Sequence, residues 1–277
     1  MRVREPGRKV AVALGVVACV LAGALYAAQQ TPTLRKPDVV YVPTPQAVVD
    51  AMLALADVTS SDVVYDLGSG DGRIPITAAV KYGVRALGVD LDPKRIAEAR
   101  ENAEKAGVTD RVKFEQQNLF ETDIGQAQVL TLYLLQDINM RLRPRILERM
   151  KPGSRVVSHA FDMGDWAPDH FEVFDSRRVY MWTVPKKAAG RWPIEHNGRV
   201  LHVDLAQRYQ ELTGTATIDG RTVPVQGRVD GERIELTADF DGRGATRLTG
   251  RIGDTAIHAD GGTANAFAMT LVPDRVN

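Results

Sequence analysis

The 277-residue chain has a single cysteine, Cys19, and it lies inside an apolar run near the N-terminus. An intramolecular disulfide is therefore excluded, and so is a cysteine-ligated zinc site. Histidine is nearly as scarce: five residues, scattered without ligand spacing, so no metal is expected. Neither sign of charge is in excess. Lys+Arg and Asp+Glu both number 35, and no long basic cluster occurs, so nucleic acid has no electrostatic case as a partner. The remaining balance, 44% hydrophobic and 25% charged, is that of a chain able to build a packed core, which excludes wholesale disorder.

The long apolar run spans residues 10–28 and follows Arg2, Arg4, Arg8 and Lys9. A basic flank, an apolar centre and small residues at the end read as a signal peptide or membrane anchor over residues 1–30. The run is long enough to cross a bilayer uncut. The positive flank would stay in the cytoplasm. The protein is thus expected to be exported, periplasmic or extracellular, or anchored in the membrane by this segment. Residues 31–45 form a proline-marked linker, and 46–56 read as a helix with Val48, Val49, Met52 and Leu53 on one stripe.

Strands and helices then alternate. Strands are predicted at 63–66, 85–90, 111–115, 129–135 and 154–160. Helices are predicted at 73–82, 93–106 and 139–150. Such repeats give a parallel sheet covered on both faces. The most informative stretch is Asp66-Leu67-Gly68-Ser69-Gly70-Asp71-Gly72, between the first strand and its helix. Three glycines allow positive φ and close approach of a ligand to the backbone. The second strand ends in Gly88-Val89-Asp90-Leu91-Asp92, where a carboxylate can accept both hydroxyls of a ribose. The glycine spacing departs from the G-x-G-x-x-G of dinucleotide sites, which counts against a nicotinamide dehydrogenase.

These two motifs resemble the first and second motifs of class I S-adenosylmethionine-dependent methyltransferases. Strands predicted at 171–174 and 178–183 follow each other with no helix between, like the reversed terminal hairpin of that fold. The resemblance implies a doubly wound, seven-stranded Rossmann-like domain over residues 46–185. It implies S-adenosyl-L-methionine as cofactor, with Gly68, Ser69, Gly70 and Gly72 forming the turn around it. Asp66 would hold the amino-acid end, Asp90 the ribose and Leu91 the adenine. Asn118, followed by Leu119, stands where these enzymes commonly carry an acid for the adenine amino group.

A narrower likeness, over about residues 38–184, rests on Tyr41-Val42-Pro43-Thr44-Pro45, the first motif and the region 133–144. It is to the small lysine methyltransferases of mitochondria and many prokaryotes. It implies a protein lysine amine as methyl acceptor, with Thr44 and Pro45 closing the cofactor site. His159, Asp162 and Trp166 would then lie near its mouth. The fourth strand lacks Asn-Pro-Pro-Tyr, which argues against methylation of adenine N6 or glutamine. Tyr133 and Gln136 are the candidate residues facing the acceptor; no general base is identifiable.

After Pro185 the helical periodicity stops. Alternating segments at 200–205, 210–218, 222–229, 233–240, 245–252, 255–259 and 266–272 are separated by Asp-Gly and related turns, the strongest short-range hairpin signal. Residues 190–277 are expected to form an antiparallel β domain, a small barrel or sandwich. The competing expectation is an exported or membrane-anchored binding protein, with a vestigial cofactor pocket and a ligand-binding β domain.

Overall fold

The computed structural model describes residues 41–196, 199–218, 220–239, 244–253 and 257–259. The expected leader (1–30), most of the linker (31–40) and the strand expected at 266–272 lie outside the described residues. Among the described residues, no helix is long and apolar enough to cross a membrane.

Helix α1 (Gln46–Leu55) buries Val48, Val49, Met52 and Leu53. Strand β1 (Val63–Leu67) leads through the glycine turn into α2 (Arg73–Tyr82), which begins at Gly72 and stops at Gly83, both left-handed. Strand β2 (Arg85–Asp90) precedes α3 (Pro93–Lys105). The start of α3 is specified locally: the Asp92 carboxylate accepts the Lys94 amide, and Pro93 takes the first helical position, where its missing N–H is not needed. Strands β3 (Val112–Gln116) and β4 (Val129–Leu132) follow without a helix between them. Then come α4 (Gln136–Arg149), β5 (Arg155–His159), β6 (His170–Phe174) and β7 (Arg177–Thr183).

These seven strands form one mixed sheet in the order β3-β2-β1-β4-β5-β7-β6. The first five are parallel, and β7 runs antiparallel to both β5 and β6. This is the Rossmann-like sheet that the sequence resemblance implies, and the expected reversed hairpin is present. Apolar residues of α1, α2 and α3 pack with Val64, Ala86, Val129 and Val157 in one core. Ile138, Leu142 and Ile146 of α4 pack with Leu130, Leu132, Trp166 and Trp182 in another. The order reverses between β1 and β4, so the carboxyl ends of β1, β2, β4 and β5 open on a switch point where α/β sheets bind ligands.

Two boundaries move. The fourth strand ends at Leu132, and α4 starts at Gln136 rather than 139, because Leu135 is extended and serves as its N-cap. The turn residues 133–135 therefore sit at the site and not in the sheet.

Strands β8 (Gly190–His196), β9 (Arg199–Arg208), β10 (Glu211–Ile218), β11 (Arg221–Asp230), β12 (Arg233–Ala238), β13 (Thr246–Ile252) and β14 (Ile257–Ala259) form a second sheet. It is a sequential antiparallel meander with β8 and β14 at its edges. Alternation puts Val203, Leu205, Leu212, Val225, Leu236 and their neighbours in one core. Among the described residues it is an antiparallel half-barrel; the expected small barrel or sandwich includes the strand at 266–272, which lies outside them. Strand β8 escapes the sequence reading because Pro193 interrupts it, and proline is tolerated there because β8 is an edge strand. Both sheets belong to one unit, Lys36–Asn277.

Candidate active site

The site grows from the turn after β1. The amides of Gly68 and Ser69 both donate to the Val89 carbonyl, at 2.8 and 2.9 Å, which ties the turn to the end of β2. Gly70 has φ +52°, and a Cβ there would lie 2.3 Å from the Tyr41 ring. Gly72 has φ +81°, and its Cβ would lie 2.5 Å from Phe114 and 2.9 Å from Ala99. Both positions thus need glycine for backbone conformation and for space. The Ser69 hydroxyl is buried beside them without a hydrogen-bond partner among the described residues.

Three carboxylates surround this turn. Asp66, 2% exposed, accepts the Thr131 hydroxyl of β4 at 2.7 Å. Burial pushes its carboxyl up to about 7; the Thr131 hydrogen bond opposes the rise, and the charges of Asp90 and Asp71 add to it. Asp90 accepts the Gly70 amide at 3.0 Å and the Asp92 amide at 2.9 Å. A carboxylate has about four acceptor positions, so room remains for a further donor. Burial alone would raise Asp71, but the Arg73 guanidinium, at 2.6 Å, holds it below the usual carboxylate range.

Residues 41–45 lie across this turn. The Tyr41 ring covers Gly70, with the Arg95 guanidinium 4.7 Å from its centroid. Burial, then the neighbouring Asp71, raises the Tyr41 hydroxyl above its ordinary value. The Thr44 carbonyl accepts from Arg73 at 2.9 Å. The Thr44 hydroxyl is 3.2 Å from His159 Nδ1 at the end of β5. His159 also lies against Tyr133, ring centroids 3.9 Å apart and planes tilted by 32°. Burial, then the Arg177 charge, lowers His159 to about 4, so the imidazole is neutral at physiological pH. Gln136, the first residue of α4, donates to Asp162.

The fold therefore gathers Thr44, Asp66, Gly68, Ser69, Gly70, Gly72, Asp90, Leu91 and Tyr133 at the carboxyl edge of the sheet, with His159 among them. Other expected residues are engaged by their own surroundings. Asn118 occupies the turn after β3, accepting the Phe120 amide and donating to Glu121. Leu119 packs, partly buried, against the α4-side core. Trp166 is fully buried against Trp182 and Tyr209; its bulk serves the core. Sequence reading missed Thr131, whose signal was a single threonine within the apolar run 129–135. It also missed the Asp71–Arg73 clamp, an acid and a base two residues apart.

A family model described as the ANTKMT methyltransferase domain matches residues 66–170. A protein-lysine N-methyltransferase of Saccharolobus islandicus (strain REY15A) is 50% identical over 153 residues, 53% of this chain and 95% of that protein. An adenine nucleotide translocase lysine N-methyltransferase of Mus musculus is 31% identical over 122 residues, 44% of this chain and 53% of that protein. A solved structure is described as an RNA methyltransferase from Salinibacter ruber in complex with S-adenosyl-L-homocysteine. It is 54% identical, covers 53% of this chain and 96% of its own, and superposes with a TM-score of 0.52.

Proposed function

Since the chain belongs to the class I S-adenosylmethionine-dependent methyltransferases, within the family of the small protein-lysine N-methyltransferases, we propose that its methyl acceptor is a lysine amine of a protein. One observation carries the site assignment. The buried Asp66 carboxylate, paired with Thr131, heads a glycine turn that has an unpartnered hydroxyl and is tied back to Asp90. Asp66 is suited to hold an ammonium group, since a buried acid gains most from a charged partner. Glycine backbone at 68–72 admits a close ligand, and Asp90 keeps acceptor capacity for hydroxyl donors. These residues fit the cofactor.

When bound, S-adenosylmethionine supplies a methyl group already activated by its sulfonium. The protein's remaining work is to orient a neutral nucleophile and keep water out. Tyr133 and the neutral His159 offer adjoining rings beside the turn, an uncharged wall that favours loss of a proton from a lysine ammonium. Thr44 bridges this wall to the cofactor side through His159 and Arg73. Gln136, hydrogen-bonded to Asp162, is a polar group at the exposed rim.

The description of the Salinibacter relative favours RNA as a second reading, and the balanced charge of this chain speaks against it. One experiment tests both. The purified chain is incubated with deuteromethyl-labelled S-adenosylmethionine and a cell extract, and label is mapped by mass spectrometry in proteins and RNA. Label on lysine Nζ is expected. Label in RNA bases, or none on lysine, overturns the proposal.

A further inference from the structure

The Saccharolobus relative is matched almost over its full length by 153 residues, so nearly half of this chain has no counterpart in it. The second sheet, residues 190–259, makes specific contacts with the transferase, and they converge on one segment. Residues 161–169 leave the end of β5 through Ala160, whose φ of +68° is unusual for a side-chain-bearing residue. The near end of this segment forms the rim. The Phe161 carbonyl accepts from Ser158 at 2.6 Å and Asn139 at 3.2 Å, and Asp162 takes the Gln136 amide and the Gly164 amide.

Its far end is held by three consecutive residues at the turn between β9 and β10. Asp165 accepts Arg208 at 2.6 Å and the Tyr209 hydroxyl at 3.1 Å, as well as Arg143 of α4. The Tyr209 ring stacks on Trp166 at 6.0 Å, with the Arg143 guanidinium 5.2 Å from its centroid. Gln210, 2% exposed, donates to the Ala167 carbonyl at 2.7 Å. Tyr209 itself is held at φ +55°. Arg228 of β11 then pairs with Asp169 at the end of the segment. The left-handed Tyr209 is what a two-residue hairpin loop requires, but such a tip has no need of a buried glutamine and a salt-bridged arginine. A clamp does.

We propose that the Arg208-Tyr209-Gln210 turn of the second sheet positions the acceptor-side segment 161–169, and with it the Asp162–Gln136 pair, so that the second sheet governs entry of the acceptor. This rests on the transferase reading of the site and extends it. The three residues act through the segment and touch neither the glycine turn nor Asp66 in the described contacts.

The test uses the full chain with two variants, Tyr209→Leu and the double variant Arg208→Ala/Gln210→Ala. Hydrogen exchange is followed at residues 161–164 and 136–139 and at 68–72. Cofactor affinity is measured by calorimetry, and transfer to poly-L-lysine is measured kinetically. Both variants should speed exchange at 161–164 by about tenfold while 68–72 stays protected. Cofactor Kd should stay within about twofold, and KM for poly-L-lysine should rise about fivefold or more with little change in kcat. Unchanged exchange at 161–164, or a cofactor Kd that rises in step with KM, overturns the proposal. Failure of the wild-type chain to methylate any lysine would count against the transferase reading; the exchange comparison would still decide whether the turn positions the segment.

Discussion

Replacing Asp66 with asparagine should stabilise the cofactor-free protein above pH 7 while weakening its grip on the cofactor. Burial raises the Asp66 carboxyl from 3.8 to about 7 in the folded protein. Between those values the unfolded chain is ionised and the folded chain keeps the proton. Stability therefore falls as pH rises through this window, and the cost is complete above pH 7. At 1.36 kcal/mol per pH unit the shift corresponds to about 4 kcal/mol. Asparagine cannot ionise, so that slope disappears. Its carbonyl can still accept the Thr131 hydroxyl, but its amide adds a buried donor that costs about 1–3 kcal/mol if unpaired. The variant should be less stable than wild type near pH 4 and more stable by about 1–3 kcal/mol near pH 8, with a crossover between. Urea unfolding at a series of pH values measures this directly. Loss of a charge-assisted partner for an ammonium should weaken S-adenosylmethionine binding by roughly 10- to 100-fold in calorimetry. Parallel pH–stability curves for the two proteins, or unchanged cofactor affinity, would refute the reasoning.

Three other outcomes follow from the same geometry. Thr131→Val removes the one hydrogen bond that opposes the rise of Asp66, so the pH midpoint of the stability decline should move upward and stability near pH 8 should drop by about 1–3 kcal/mol; an unmoved midpoint contradicts the pairing. Gly70→Ala meets φ +52° and the Tyr41 ring together, so about 1–2 kcal/mol of stability and most cofactor affinity should be lost, with partial recovery in a Tyr41→Ala background; no recovery argues against the contact. His159, neutral in the fold down to about pH 4, should confer stability above pH 6.5 that is lost as pH falls from 6.5 to 4. His159→Asn should flatten that acid limb, and an NMR titration placing the imidazole near 6.5 would sink the idea.

Much of the transferase was legible in the chain because its signals are local. Residues 63–66 and 85–90 are largely apolar runs ended by the acids Asp66 and Asp90, and the glycines at 68, 70 and 72 between them belong to a turn with positive φ. Asp92 and Pro93 start α3 by capping chemistry that needs no distant partner. The hairpin at 170–183 showed itself through the absence of a helix. What was not legible depends on distant contacts. Nothing near Trp166 distinguishes a residue at the site mouth from one buried under Tyr209, 43 positions away. Asn118 had the right type and place for a cofactor contact, but its role in holding its own turn, accepting the Phe120 amide and donating to Glu121, shows only in the fold. The start of α4 at Gln136 depends on Leu135 leaving the sheet, which periodicity in an apolar stretch cannot reveal.

By itself, then, the sequence determined the alternation of elements, the glycine turn with its flanking acids, and the meander after residue 190. Each is set by backbone preference and burial period within a few residues. Tertiary structure decided the rest. It gave Asp66 a partner in Thr131 and a raised proton affinity, because both are sealed from water by the sheet. It brought Tyr41 and Thr44 across the turn to Arg73 and His159. It set the β9–β10 turn of the added sheet against segment 161–169. Those outcomes depend on which side chains burial forces together, and burial is a property of the whole packed chain.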